Sequence, residues 1–133
     1  MKHQIKLIDI PKITDPRGNL AVIEGDTLPY DIARVYYLHD VPSGAYRGGH
    51  AHKECQELLV AVSGSFEVVL DNGVEKERVV LNKPNKGLLI TEGIWRELDE
   101  FSSGAVCLVL ASHAFDEDDY IRDYPSFLKS KGR

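Results

Sequence analysis

The chain has 133 residues, 43% of them hydrophobic, with four Phe, six Tyr and one Trp, which fits one domain over 1–133 with enough apolar bulk for a packed core. A formal net charge of −5 argues against a general nucleic-acid binder, which needs clustered Lys and Arg to release counterions. No apolar run approaches the roughly 20 residues of a spanning helix, and the opening MKHQIKLIDIPKI has no apolar core of a signal peptide, so a soluble, cytoplasmic protein away from membranes is expected.

Ile5 to Ile10 alternates apolar and polar residues, as an edge strand does. Asp15-Pro16-Arg17-Gly18 is a turn signal, and Leu20 to Glu24 reads as a second strand. Arg34 to Leu38 (RVYYL) is β-branched and aromatic and reads as a third. Strands around His50 and Leu59 follow. Ser65 to Leu70 and Val74 to Leu81 are then joined by Asp71-Asn72-Gly73, whose Asn and Gly tolerate the positive φ of tight hairpin turns. Gly87 to Thr91, Ile94 to Leu98 and Ala105 to Ala111 complete an all-β set with the spacing of a sandwich or barrel. In the tail, acidic residues precede Tyr120, Ile121, Tyr124 and Leu128, which share one helical face, so one or two helical turns limited by Pro125 are expected to pack on the barrel. Cys55 and Cys107 lack metal-type spacing and read as free thiols of a reducing compartment.

The chemistry concentrates between Gly44 and Gly64 (GAYRGGHAHKECQELLVAVSG). His50 and His52 are two apart, so on a strand both imidazoles project from one face. Their spacing to Gly44, Glu57 and Gly64 resembles the first motif of the cupin family, G-x5-H-x-H-x4-E-x6-G, at every fixed position. The resemblance implies a cupin-like, jelly-roll β-barrel with a short C-terminal helical segment. Metal-binding cupins carry a second motif with a further histidine ligand. Here that stretch runs from Pro84 to Glu97 and Arg96 stands where the histidine is expected, a cation that disfavours a metal.

Further stretches extend the match: DPRGNLAVIE (15–24), RVYYL (34–38), YRGGHAHK (46–53), IWRELDEFSSGAVCLVLAS (94–112) and DEDDYIRDYPSFL (116–128). Together they are similar to the nucleotide-sugar 3,4-ketoisomerases of bacterial deoxysugar pathways. That resemblance implies an isomerase that moves the ketone of a dTDP-4-keto-6-deoxyglucose from C4 to C3, without metal or other cofactor, as a homodimer exchanging N-terminal strands. Histidine suits both proton transfers because its ordinary pKa lies near ~6.5. His52 is expected as the principal base and His50 as its partner. Arg17, Arg34, Arg47 and Arg96 lie in the matching stretches and are candidates for the diphosphate, since guanidinium holds phosphate in a bidentate manner. Arg34 shares strand parity with Tyr36 and Leu38 and is expected to face inward. Tyr36 and Tyr37 point to opposite faces, one to meet base or sugar, the other to pack. Trp95 reads as core, and His3, His39 and His113 as surface or structural.

Glu57 is the ambiguous position. With His50 and His52 it can form a two-histidine, one-carboxylate metal site, or it can hydrogen-bond an imidazole in a metal-free site. A metal-dependent cupin and a non-catalytic sugar-nucleotide binding module are therefore the rival readings.

Overall fold

The computed structural model describes residues 1–133. One five-stranded antiparallel sheet has the order β1 (Ile5–Asp9), β9 (Lys86–Ile90), β6 (Glu57–Ser63), β11 (Val106–Ala111), β4 (Arg34–Leu38). A second has the order β12 (Tyr120–Ile121), β5 (Arg47–His52), β10 (Trp95–Asp99), β7 (Phe66–Asp71), β8 (Lys76–Leu81). The hairpin of β2 (Lys12–Asp15) and β3 (Gly18–Ala21) joins neither. The sheets face each other across the core as a cupin-like sandwich, and their ladders do not close into a continuous barrel.

The pleat explains where the core sits. On β6, Leu59 and Ala61 meet Val68 and Leu70 of β7 and Val109 of β11 between the sheets. Leu58 and Val60 point the other way, to Ile10, Leu28, Leu89 and Leu110. The strand is thus buried on both faces, which is why ELLVAV reads as an uninterrupted apolar run instead of alternating. On the outer face of the second sheet, Trp95 and Ala51 are covered by Phe127 of α1 (Tyr124–Ser130). Burying Phe127 completely contributes about 1.5–3 kcal/mol.

Some element boundaries differ from the sequence expectation. The Asp15–Gly18 turn lies inside a hairpin whose first strand, β2, went unpredicted, and β3 ends at Ala21. Val74 lies in the turn before β8, where Asn72 accepts the backbone N–H groups of Val74 and Glu75 and Gly73 has φ +92°. The tail is not helical from its acidic run. Asp116 caps a single 3-10 turn over Glu117–Asp119, β12 pairs with β5, and the α-helix starts only after Asp123, whose side chain accepts the Ser126 N–H. Pro125 opens this helix, where its missing N–H costs nothing.

Candidate active site

Between the sheets lies a cavity of about 310 Å³, at the small end of ligand pockets. Strand β4 contributes Arg34 and Tyr36, β5 contributes Arg47 and His50, β6 contributes Glu57 and β10 contributes Arg96. The tail closes one side with Phe115, Tyr120 and Arg122.

The way β5 enters the site is set by two glycines. Gly48 and Gly49 have φ of +101° and +54°, and a Cβ at Gly48 would meet Leu98 and the Arg96 carbonyl at 3.0 and 3.2 Å. Gly48 pairs with Glu97 and His50 with Arg96, so Gly49 is the extra residue of a bulge. Such a bulge re-aims the residue that follows it. His50 and Arg96 consequently stand opposite each other on the ladder and face the same cavity.

His50 Nδ1 lies 3.0 Å from the Gly48 carbonyl oxygen. A carbonyl only accepts, so Nδ1 carries the proton and Nε2 keeps its lone pair. Nε2 is buried and has no hydrogen-bond partner within the protein. Burial, and then the Arg96 charge, push the His50 pKa down to about 4, so the ring is neutral around pH 7. His52 lies deeper, 2% exposed, and is not part of the cavity wall. Its Nδ1 is 3.0 Å from Asp119 Oδ2; its Nε2, 3.5 Å from Glu57 Oε1, is buried and, like that of His50, makes no hydrogen bond within the protein. The two imidazoles meet edge to face with centroids 4.9 Å apart, and the Tyr120 ring covers both.

Glu57 is 2% exposed and hydrogen-bonded on both oxygens. Arg96 Nη1 donates to Oε1 at 2.6 Å and the Tyr36 hydroxyl donates to Oε2 at 2.7 Å. Burial pulls its carboxyl pKa upward, but the His52 contact, the Arg96 charge and the Tyr36 bond together outweigh it and hold the pKa at about 2. Burial and the Glu57 charge drive the Tyr36 hydroxyl well above the ordinary tyrosine range, so Tyr36 is a hydrogen-bond donor here. Arg96 is 1% exposed; Nε reaches the Ile94 carbonyl at 3.3 Å, and Nη2 has no partner within the protein.

His50, Glu57, Arg34, Tyr36, Arg47 and Arg96 therefore line one cavity, with His52 directly behind. Arg34 faces inward, as its parity predicts, stacked over Tyr36 at 4.4 Å. Two expected site residues lie elsewhere. Tyr37 is on the outer face of β4, exposed beside His39, because the pleat places it opposite Tyr36. Arg17 is at the tip of the hairpin that joins neither sheet, its side chain 90% exposed and paired with Asp15. Arg96, a diphosphate candidate in the sequence, is 1% exposed and stands across the ladder from His50.

Four residues of the site went unpredicted: Phe115, Asp119, Tyr120 and Arg122. Asp119 accepts from the backbone N–H groups of Glu54 and Cys55 as well as facing His52, and the Arg122 guanidinium stacks over Tyr120 at 4.0 Å. The acidic run and the spacing of Tyr120 imitate a helix N-terminus. A two-residue strand has no periodicity that betrays it.

His50, His52 and Glu57 bring their ligand atoms within 4.8 Å of one another, as do His52, Cys55 and Asp119. Neither group suits a cation. Both Glu57 oxygens are taken by donors, one of them a guanidinium that also lines the cavity. Asp119 is committed to two backbone N–H groups and to His52.

Comparison with known proteins extends this picture. Residues 3–132 match the family described as FdtA: WxcM-like, C-terminal. The chain is 43% identical over 125 residues, 93% of its length and 90% of the relative's, to the TDP-4-oxo-6-deoxy-alpha-D-glucose-3,4-oxoisomerase of Aneurinibacillus thermoaerophilus. It superposes on the crystal structure of a 3,4-ketoisomerase from Helicobacter canadensis with a TM-score of 0.94, at 41% identity, covering 97% of this chain and 98% of that one. A mutant of the 3,4-ketoisomerase QdtA from Thermoanaerobacterium thermosaccharolyticum, in complex with TDP-4-keto-6-deoxyglucose, superposes with a TM-score of 0.95 at 39% identity, covering 98% and 95% of the two chains.

Proposed function

The chain belongs to the FdtA, WxcM-like C-terminal family, and from that membership we propose that it is a TDP-sugar 3,4-ketoisomerase that moves the ketone of TDP-4-keto-6-deoxyglucose from C4 to C3. The observation that carries the reading is the His50 imidazole, neutral, with its buried Nε2 lone pair free of any partner in the protein, in the wall of a cavity large enough for a sugar ring. Arg34, Arg47 and Arg122 stand around the same cavity, where they suit the diphosphate.

His50 Nε2 takes the C3 proton, and the C3–H electron pair forms the C3–C4 double bond while the carbonyl pair moves to O4. The resulting enediolate then loses the proton from O3, gains one on O4, and accepts at C4 the proton held by His50. One C–H and one O–H bond break and one of each forms, so no oxidant or reductant is consumed. The base role passes here from His52, the sequence expectation, to His50, because His50 lines the cavity and His52 does not. His52, held between Asp119 and Glu57, acts as a positioning residue.

Single turnover in D₂O separates the two roles. His50→Asn loses both C3 proton exchange and product formation, by at least the roughly 10²–10⁴-fold typical of a general base, with TDP affinity unchanged. His52→Asn keeps measurable exchange. The reverse pattern returns the base role to His52.

The active form we propose is a homodimer exchanging its N-terminal hairpin. An isolated hairpin is marginal in water, and β2–β3 exposes Ile13 and Leu20 at 59% and 56%. Strand β4 offers a free sheet edge with Val35 and Tyr37 exposed. Docking the hairpin on the partner's β4 covers both and carries Arg17 towards the partner's site. The buried free thiols Cys55 and Cys107 suit the cytoplasm.

A further inference from the structure

The reaction places a negative charge on O4, and a positioned donor is the usual means of stabilising it. His50 is committed to the carbon proton, and Tyr36 spends its hydroxyl on Glu57. Arg34 is held by stacking on Tyr36 and Phe115 and by its Nη1 donating to the Tyr120 hydroxyl at 3.5 Å. Arg96 is different. It is 1% exposed, it lines the cavity, and it stands across the ladder from His50. Its Nη1 and Nε are bound to Glu57 Oε1 and the Ile94 carbonyl, which fixes the plane of the guanidinium. Its Nη2 is buried with no partner. A buried guanidinium N–H left without an acceptor costs on the order of 1–3 kcal/mol or more, a cost that is recovered when a ligand oxygen completes the shell.

We infer that Arg96 is a catalytic residue: its Nη2 holds the sugar's carbonyl oxygen and stabilises the enediolate, while Glu57 and Tyr36 are positioning residues that fix the guanidinium against the β5–β10 ladder. The inference rests on the ketoisomerase reading and changes the expected role of Arg96, from diphosphate contact to electrophile. Glu57 serves two purposes. It balances the Arg96 charge before substrate arrives, and by accepting Nη1 at Oε1 it fixes the guanidinium whose Nη2 is left, like His50 Nε2 and His52 Nε2, buried without a partner. Base and electrophile thus come from directly paired residues on adjacent strands, so their separation is set by a sheet ladder and not by a loop.

The test uses Arg96→Lys, which keeps a cation for Glu57, and the double variant Glu57→Gln/Arg96→Gln, which exchanges the ion pair for amides and leaves no orphan charge. Turnover of TDP-4-keto-6-deoxyglucose and the Kd of TDP are measured for each beside the unaltered protein. Both variants should lose roughly 10²–10³-fold in kcat, the usual cost of one oxyanion donor, with the TDP Kd within about twofold of the parent. C3 proton exchange should fall in parallel, because the same donor stabilises the intermediate that exchange requires. A variant that loses TDP affinity while keeping kcat makes Arg96 a phosphate contact and overturns the inference, as does near-parental kcat in Arg96→Lys. An unaltered protein that binds TDP but leaves the substrate unchanged removes the ketoisomerase reading itself, an outcome distinguishable from the other two.

Discussion

At His50, the proposed base, two neighbours set the tautomer and the charge of the ring, and neither is visible in the HxH pattern. The Gly48 carbonyl fixes the tautomer and the Arg96 charge, added to burial, keeps the ring neutral. The pH dependence follows with a definite sign. A histidine whose folded pKa is about 4 binds fewer protons than the unfolded chain between pH ~6.5 and 4, so folding stability falls as pH drops through that window. Glu57 acts in the same direction at lower pH, because its carboxyl, held at about 2, must be protonated against Arg96 and Tyr36. Thermal melts should therefore show Tm falling from pH 7 to pH 4.5, with the slope reduced in His50→Asn; a slope identical in that variant contradicts the depressed His50 pKa. The cupin-like motif put His50 and Glu57 among the candidates and strand parity turned Arg34 inward, while the choice between Tyr36 and Tyr37 stayed open in the sequence. The depth of Arg96 was not legible, because its partner Glu57 lies 39 residues earlier and only the β6, β5 and β10 arrangement joins them.

At the scale of elements, strand parity and the Asp71–Gly73 hairpin are set by nearest neighbours, and those features were readable. The tail was not, because β12 owes its existence to β5 and not to its own residues. It pairs Tyr120 with His52 and brings the Asp119 carboxylate onto His52 Nδ1. Phe127, buried against Trp95, anchors the helix that follows. Asp119→Asn keeps an oxygen for the Glu54 N–H at the Oδ1 position, and its amide NH2 replaces the carboxylate oxygen that faces His52 and accepts the longer, 3.3 Å bond from the Cys55 N–H. We expect turnover to fall about 10–100-fold, as when a functional imidazole loses its outer carboxylate, with little change in Tm or TDP affinity. A parallel collapse of Tm and TDP binding would mean that Asp119 merely holds the fold together.

At the scale of the molecule, a sandwich or barrel of antiparallel strands was anticipated, and closure into a full barrel was not realised: the strand ladders end at the four edge strands β1, β4, β8 and β12. One of those edges, β4, and the detached β2–β3 hairpin are the grounds on which a dimer is proposed. Light scattering should report twice 14.9 kDa, and deleting the hairpin should return the protein towards monomer; a monomeric full-length chain contradicts the exchange. The claim that matters most is where the ketone goes. The most direct measurement is NMR of TDP-4-keto-6-deoxyglucose incubated in D₂O with enzyme exhaustively treated with EDTA. The account predicts a 3-keto sugar nucleotide carrying its new hydrogen or deuterium at C4. Substrate recovered with its ketone still at C4, or conversion that returns only when a divalent metal is added, would contradict it.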